Sequence, residues 1–410
     1  MERVNIGLVG AGFAGKFHSE CYGEVPGMDV HLQGVYSRTA ERAEELAGKS
    51  GAKVYRSFEE LLMDPDIHAV DICTPANTHE PLTIAAAKAR KHVIVEKPLT
   101  GYFGEGWTGE KPIGLHCPRG LMLHEAMNSL YRIREAVTRN GIKLMYAENW
   151  VYLPGVAKAK EFLESSGAAI TRMQGEESHS GSHAAYYDKW ELSGGGSLMG
   201  KAVHPLGTAL TLKYHEGELR NRRPIRPKSV SATVKNLTEM ECFMGVPMVE
   251  KKPGIHVTHQ GIRVGYHDVE DWGEMVIVFE DGSVASIVGS EVVLGGVQNR
   301  FEIYMDKGRI NVNVNPVDAI EAYTPHDANW GGAYIVEKIE TKAGWTRPSP
   351  NEEWMTGYQH EMRDFMRCVV EPERQPVSGL MLAGDTVATV YAAYSSAAHD
   401  GIRTEIPTKR

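Results

Sequence analysis

The stretch VNIGLVGAGFAG, residues 4–15, decides the fold of the first part of this chain. It begins with a short apolar run typical of a buried strand and continues into glycines spaced G-x-G-x-x-G. Between a strand and a helix, Gly10 permits a tight turn, Gly12 lets backbone amides approach a pyrophosphate, and Gly15 lets the helix pack closely on the strand. The stretch therefore predicts a dinucleotide site with contacts from Gly10, Gly12, Phe13, Ala14 and Gly15.

The alternation of apolar strands and helices continues to about residue 150. The clearest strands are 31–36, 69–75 and 92–98, and a long helix is expected over 121–140. Strands that are apolar on both faces and alternate with helices indicate a parallel sheet covered on both sides. We predict an α/β fold with a doubly wound Rossmann domain over 1–150. A glycine-rich insertion at about 101–120 is either an active-site loop or a surface or subunit-contact loop.

Beyond residue 150 the apolar residues repeat with period two. Five segments alternate in this way: 229–237, 274–279, 283–292, 300–304 and 309–314. The connections EDGS and DKGR have the turn chemistry of hairpins, and 357–399 returns to helical spacing. We predict an α+β domain over 151–410 with a large open, mainly antiparallel sheet.

Composition narrows the class of protein. The chain has 410 residues, a formal charge of -9 and 24% charged residues, so nucleic acid is not an expected partner. The one basic run, NRRPIRPK, is broken by prolines and reads as a solvated loop, although it could line a pocket for an anionic group. Five widely spaced cysteines without a C-x-x-C pair argue against a disulfide framework. No signal peptide or membrane-spanning run is recognisable, so we expect a cytoplasmic protein with no membrane contact.

Polar residues at the ends of later strands extend the predicted cofactor site. Ser37 and Arg38 stand where an acidic residue usually binds the adenosine ribose, so they accommodate either NAD or NADP, and we expect NAD. Loops at the carboxyl ends of parallel strands hold the ligand. This predicts cofactor contacts from Thr74, Pro75, Asn77 and His79, with a helix-start cap as the alternative for His79.

The tripeptide EKP closes the strand that ends at Val95. Glu96 and Lys97 are costly at the end of an apolar strand unless they meet ligands or each other, and both are predicted to contact the cofactor. Beside a nicotinamide, Lys97 could orient a substrate hydroxyl and favour the alkoxide that forms as hydride leaves. Pro98 indicates a cis peptide bond in a tight turn.

The order GAGFAG, TPANTH, EKP and then GGGSLMGKAVH resembles the Gfo/Idh/MocA family of NAD(P)-dependent oxidoreductases over nearly the whole chain. The resemblance implies hydride transfer at a sugar or cyclitol carbon and a C-terminal sheet that mediates homo-oligomers, dimers or tetramers. It also implies that His204 accepts the hydroxyl proton and works with Lys97 as the second catalytic residue. No metal is expected.

One departure from the family pattern concerns the position four residues before His204. The family commonly has an aspartate there, whereas this chain has Gly200. Either another acid, such as Glu148 or Glu177, replaces it, or the chemistry differs from that of a simple alcohol dehydrogenase.

Residues near the predicted crevice suggest what the substrate is. Cationic residues of the second domain favour a substrate with a carboxylate, sulfonate or phosphate, and tyrosines and tryptophans offer flat surfaces for a sugar ring. Asn149 is expected at the cofactor. The predicted substrate contacts, besides Lys97 and His204, are Tyr152, His183, Lys189 and Lys201.

These features leave three functions open. The first is oxidation of a ring hydroxyl of a sugar derivative with net production of reduced nicotinamide. The second is an NAD-dependent glycoside hydrolase that oxidises a ring carbon, eliminates the aglycone and returns the hydride, for example on a sulfosugar or uronide. The third is a non-catalytic nicotinamide-binding protein, which the presence of both Lys97 and His204 disfavours.

Overall fold

The computed structural model describes residues 3–407. The first 147 residues contain a six-stranded parallel sheet in the order β3-β2-β1-β4-β5-β6. Its strands are β1 (Arg3–Val9), β2 (Asp29–Tyr36), β3 (Lys53–Val54), β4 (Ala69–Ile72), β5 (His92–Glu96) and β6 (Leu144–Ala147). Its helices are α1 (Phe13–Tyr22), α2 (Ala40–Ser50), α3 (Phe58–Met63), α4 (His79–Lys88), α5 (Ile113–His116) and α6 (Arg119–Asn140). The strand order reverses between β1 and β4, where doubly wound folds bind dinucleotides. The predicted Rossmann fold is confirmed.

Local sequence signals explain this alternation. Ser57 caps α3 by accepting a hydrogen bond from the amide of Glu60. Gly51 and Gly141 end α2 and α6 in the left-handed conformation that glycine adopts without strain. The central strands β1, β4 and β5 have almost entirely buried side chains, because helices cover both faces of the sheet.

The rest of the chain contains a seven-stranded sheet in the order β15-β14-β7-β13-β12-β8-β18. All its pairs are antiparallel except β13 with β7, which confirms a mainly antiparallel sheet. The strands from β7 are Ile170–Ser178, Pro227–Lys235, Met248–Lys252, Ile255–Thr258, Arg263–Val264, Trp272–Phe279, Val284–Ser290, Gln298–Met305, Gly308–Asn315, Ala322–Thr324, Gly344–Thr346 and Thr404–Glu405. The helices from α7 are Pro154–Ser166, Trp190–Ser193, Val203–Asn221, Glu352–Met355, Tyr358–Val370 and Leu380–Ala397.

Two features of the chain beyond residue 150 do not follow from the sequence. The central strand β7 has a polar composition that hides its alternation, and a separate small sheet forms from β9, β10 and β11. Both expected hairpins are present as the antiparallel pairs β12–β13 and β14–β15. The long α9 covers one face of the sheet and has buried side chains almost throughout its first fifteen residues.

The predicted insertion at 101–120 packs against helix α12 and against the segment that contains Trp190. The amide of Tyr102 donates to the hydroxyl of Tyr391 in α12, and the Trp190 indole donates to the carbonyl of Tyr102. Asp268 accepts from the amides of Gly114 and Trp190 at 2.7 and 2.6 Å. The insertion therefore braces the segment that precedes the glycine triplet.

Among residues 3–407, all five cysteines are free thiols. In the same range no helix combines the length and the apolar character that crossing a membrane requires.

Candidate functional site

The glycines between β1 and α1 form a cradle that fits a pyrophosphate. Gly10 has φ +102, and a Cβ there would lie 2.4 Å from the carbonyl oxygen of Cys73. A Cβ at Gly15 would lie 2.0 Å from the carbonyl oxygen of Gly10, so packing alone requires glycine at both positions. At Gly12, the N-cap of α1, a Cβ would meet no atom of the described chain within 4 Å. The adjacent Phe13 is 80% exposed, so the amides at the start of α1 are accessible to an anion.

The loop after β4 lies beside this cradle, since β4 pairs with β1. Thr74, Pro75 and Asn77 are half-buried there, in position to contact a cofactor. The sequence predicts that His79 contacts the cofactor. In the structure its side chain is buried and forms hydrogen bonds within the protein. Its Nδ1 lies 2.7 Å from the carbonyl oxygen of Pro98 and its Nε2 lies 2.8 Å from that of Thr74. His79 therefore ties the β4 loop to the β5 loop.

At the end of β2, Ser37 and Arg38 remain available to the adenosine half of a dinucleotide. The hydroxyl of Ser37 accepts a hydrogen bond from the amide of Thr39 at 3.3 Å, and Arg38 is exposed.

Glu96 points into the first domain and not toward a ligand, which corrects its assignment to cofactor binding. Its Oε1 lies 3.0 Å from Nε2 of His18, and its Oε2 accepts the amide of Lys97. On the other side of the ring, Nδ1 of His18 lies 2.9 Å from Asp71. Burial opposes protonation of His18, but contact with Cys73 and Asp71 raises its pKa well above the ordinary value. Glu96 is thus held between a buried imidazole and the backbone amide of Lys97.

His18, Asp71 and Cys73 also bring three potential metal-ligating atoms within 4.8 Å of one another. Hydrogen bonds among these three side chains account for the grouping. The expectation that no metal is bound stays a prediction.

The Lys97 side chain contacts the helical segment that precedes α9. The Lys97–Pro98 peptide bond is cis, as the sequence indicates. Nζ of Lys97 donates to the carbonyl oxygen of Gly200 at 2.8 Å. Gly200 lies in a π-helical turn, Leu198–Ala202, that leads into α9. Such turns occur frequently at functional sites because they redirect backbone groups out of the regular ladder.

The glycine triplet fixes where this π turn and α9 begin. A Cβ at Gly196 would lie 2.0 Å from the carbonyl oxygen of Glu270, so the backbones approach too closely for any side chain. The carboxylate of Glu270 accepts the amides of Gly196 and Leu198, which satisfies free donors at the helix start. The triplet is therefore a packing and capping device that places His204 and not a phosphate cradle.

His204 lies in the first turn of α9 against Glu148, which follows β6. Nδ1 of His204 is 2.7 Å from Oε1 of Glu148, and the imidazole stacks on Trp150 at a centroid distance of 5.9 Å. His204 is 7% exposed and Glu148 is fully buried. Of the two acids that could replace the family aspartate, Glu148 therefore holds the ring, and Nε2 is left facing the crevice.

Glu177 lies on the Nε2 side of the same ring. Its Oε2 is 3.6 Å from Nε2 of His204, and it has no hydrogen-bond partner among residues 3–407. Beside it, Nζ of Lys201 is 3.7 Å from Glu291 and 5.7 Å from the Tyr187 ring centre. Lys97, His204, Glu177 and Lys201 are thus brought together from the two parts of the chain.

Burial and charge set the protonation of this cluster. Burial lowers the pKa of His204 to about 4; Glu177 opposes this shift, and Lys97 and Lys201 reinforce it. Burial also raises the pKa of Glu148, which Lys97 opposes. The Lys97 charge therefore disfavours the imidazolium and favours the Glu148 carboxylate. With Glu148 ionised, Nδ1–H of His204 donates to its carboxylate and the lone pair of the ring lies at Nε2.

Two other predicted site residues serve packing between elements. The hydroxyl of Tyr152 donates to Asp364 at 2.8 Å and accepts the amide of Ser378, so it is not available to a substrate. The side-chain amide of Asn149 donates to the carbonyl of Thr356, which corrects its assignment to the cofactor. Both residues anchor the C-terminal helical segment to the end of β6.

Most of the cations behind the expected anionic substrate lie beside carboxylates. His183 lies 3.4 Å from Glu337, Lys201 contacts Glu291, and Lys189 lies on the surface. In the basic loop, Arg226 forms a two-pronged ion pair with Asp385, and Arg223 contacts Glu280. The positive charges of Lys201, Arg223 and Arg226 are therefore each opposed by a carboxylate within the protein.

Comparison with known proteins gives two family-model matches. Residues 4–106 match the oxidoreductase family with an NAD-binding Rossmann fold, Gfo/Idh/MocA, and residues 167–311 match a C-terminal domain of that family. A levoglucosan dehydrogenase from Pseudarthrobacter phenanthrenivorans is 30% identical over 231 residues, which are 53% of this chain and 52% of that protein. A myo-inositol 2-dehydrogenase from Thermotoga maritima is 39% identical over 98 residues, 24% of this chain and 29% of that protein. The matched region thus spans about half the length of the first relative and less of the second.

Among solved structures, GenD2 from gentamicin A biosynthesis, in complex with NAD, aligns with a TM-score of 0.76 at 25% identity. The alignment covers 100% of this chain and 97% of that one. Levoglucosan dehydrogenase in complex with NADH and L-sorbose aligns with a TM-score of 0.72 at 22% identity over the whole of both chains, a likeness of fold.

Proposed function

Because this chain belongs to the Gfo/Idh/MocA family of NAD-binding oxidoreductases, we propose that it oxidises a ring hydroxyl of a carbohydrate or cyclitol and reduces NAD. The observation that carries the proposal is the arrangement of Lys97 and His204. Lys97 donates a hydrogen bond to the turn that leads to His204. Nδ1 of His204 contacts Glu148, and Nε2 lies 3.6 Å from Glu177, beyond hydrogen-bond distance. We also propose that the Rossmann unit extends to about residue 150.

Oxidation of a CH–OH group removes a hydride and a proton. The glycine cradle of Gly10, Gly12 and Gly15 would hold NAD, which would supply the hydride acceptor. The proton passes from the substrate hydroxyl to Nε2 of His204, while Nδ1–H stays bonded to Glu148. The Lys97 ammonium stabilises the negative charge that develops on the substrate oxygen. The imidazolium that forms lies between the carboxyl groups of Glu148 and Glu177.

A neutral polyhydroxylated ring is the substrate class that the site supports. Lys201, one of the cations expected to bind an anionic group, is paired with Glu291, and the buried Glu177 carboxyl can accept a hydrogen bond from a substrate hydroxyl. Tyr186 and Tyr187, stacked with ring centres 4.6 Å apart and half-buried, offer a face for the ring. Levoglucosan and myo-inositol, the substrates in the relatives' names, are the first compounds to test.

The glycoside hydrolase alternative draws support from one observation. Glu177 is a buried carboxyl beside His204, and burial raises its pKa, so it could protonate a departing aglycone. The two functions differ in net cofactor turnover. Homo-oligomers through the C-terminal sheet and a cytoplasmic location stay predictions.

The test is a panel of myo-inositol, levoglucosan, free hexoses, uronic acids and aryl glycosides, assayed with NAD in excess and in catalytic amount. We expect NADH to accumulate with at least one neutral sugar or cyclitol, and His204→Asn and Lys97→Met to abolish it. Aglycone release without NADH accumulation would instead establish the hydrolase.

A further inference from the structure

The glycine at position 200 has no packing reason to be a glycine. Gly196 and Gly207 are required by their surroundings, since a Cβ would lie 2.0 Å from the Glu270 carbonyl and 2.8 Å from Cγ of Glu148. At Gly200 a Cβ would meet one heavy atom of the described chain within 4 Å, Oε1 of Glu291 at 3.9 Å. Its φ is not in the left-handed region either. A glycine within a helical segment lowers stability relative to alanine, so neither packing nor backbone conformation favours it.

The space beside Gly200 lies against a polar face of the second sheet. Strands β7 and β13 run parallel, with Glu177 paired to Gly289. Glu291 follows two residues after Gly289, and alternation along a strand puts both carboxylates on the side of the π turn. A Cβ at Gly289 would lie 2.6 Å from the carbonyl of Ser197, so the turn sits directly on this face. Glu291 therefore borders the space that Gly200 leaves open, and Glu177 lies on the same face of the sheet, 3.6 Å from Nε2 of His204.

The two carboxylates differ in how they are satisfied. Glu291 accepts the Ser182 hydroxyl at 2.8 Å and contacts Lys201, and although burial opposes ionisation, these partners lower its pKa. Glu177 is 8% exposed, and within residues 3–407 its Oε2 accepts no hydrogen bond. A buried carboxylate oxygen without a hydrogen-bond donor is unfavourable. The site is therefore incomplete in a way that a hydroxyl donor would correct.

We propose that the recess bordered by Gly200 and Glu291 takes the hydroxyl-bearing substituent next to the reacting carbon, and that Glu177 accepts its hydrogen bond. Gly200 and Glu177 are thus specificity-determining residues. The inference rests on the proposed function, because it assigns a part of the same substrate. It also explains why this chain tolerates the loss of an acid at position 200: Glu148 orients His204 from elsewhere, and the freed volume is used for the substrate.

Gly200→Ala tests the recess, with Gly384→Ala as the matched control. Gly384 is a half-buried helical glycine in α12, where a Cβ likewise meets nothing of the described structure within 4 Å. Both variants should keep or raise the melting temperature. Gly200→Ala should raise KM for the best panel substrate about tenfold or more with a smaller change in kcat. The control should leave both unchanged, and equal kinetics of the two variants would overturn the proposal.

Glu177→Gln tests the hydrogen bond, measured with the same substrate and its deoxy analogues at the two neighbouring carbons. The wild type should lose at least about tenfold in kcat/KM on one deoxy analogue, and Glu177→Gln should discriminate that analogue much less. Unchanged discrimination in Glu177→Gln would contradict the assignment. If the wild type oxidises a sugar and His204→Asn does not, failure of these two tests removes the recess alone. A wild type inactive on the whole panel removes the proposed function itself.

Discussion

The contact between His204 and Glu148 makes the sharpest prediction, tested by Glu148→Gln. The two side chains are 2.7 Å apart and buried, so the carboxylate fixes both the orientation of the ring and the position of its proton. An amide of the same shape keeps the packing against Gly207 but can donate to Nδ1. The ring proton would then move to Nε2, the atom that must accept the substrate proton.

The magnitude follows from the state of the ring. A general base in the wrong tautomer loses about 10²–10⁴ in kcat, or about 3–5 kcal/mol of transition-state stabilisation. We expect a fall in this range, with KM and the affinity for NAD changed by less than about threefold. Initial rates of NADH formation on the best panel substrate, with circular dichroism as the check on folding, measure it.

A double variant separates positioning of His204 from a general structural effect. If Glu148 acts only through the imidazole, Glu148→Gln should cost almost nothing further in a His204→Asn background. A folded Glu148→Gln enzyme with kcat within threefold of wild type would refute the reasoning, and so would two substitutions whose effects simply multiply.

Three further predictions concern other parts of the molecule. Gly12→Ala should weaken NAD binding at least tenfold in a fluorescence titration. The melting temperature of the cofactor-free protein should shift by under about 4 °C, because a Cβ there meets no described protein atom within 4 Å. Unchanged affinity for NAD would be inconsistent with the glycine cradle. Tyr152→Phe should lower the free energy of unfolding by about 1–3 kcal/mol through loss of the Asp364 contact, with KM unaffected; a raised KM would return it to the substrate site. Oxidation requires neutral His204, and burial lowers the pKa of this residue to about 4, so the acid limb of kcat/KM should lie below pH 6. Lys201→Met should move that limb to higher pH, because the Lys201 charge lowers the pKa of His204. A limb that stays in place or moves to lower pH would contradict this effect of Lys201.

The cofactor half of the site was largely predictable, because it depends on short local patterns. The glycine spacing after β1 dictates a turn that only glycine can adopt, and the residues after β4 and β5 necessarily meet at one edge of a parallel sheet. Even there, His79 and Glu96 were assigned to the ligand. Their actual partners, the carbonyls of Thr74 and Pro98 and the imidazole of His18, come from other elements.

The substrate half was less predictable, since charge counted along the chain says nothing about pairing in space. Lys201 and His183 suggested an anionic ligand, but their carboxylate partners lie many tens of residues away. The sequence also does not reveal the strand that carries Glu177, because a carboxyl residue stands on its buried side, where an apolar residue would mark the period-two signal.

The sequence by itself determined the order of strands and helices, the cofactor cradle, and the identity of Lys97 and His204 as the pair to examine. These depend on backbone conformation and on periodicity, which are properties of neighbouring residues. Only the tertiary structure decided that Glu148 holds the imidazole and that position 200 opens toward Glu291. Hydrogen bonds and open volume between residues distant in sequence exist only once the two sheets have packed.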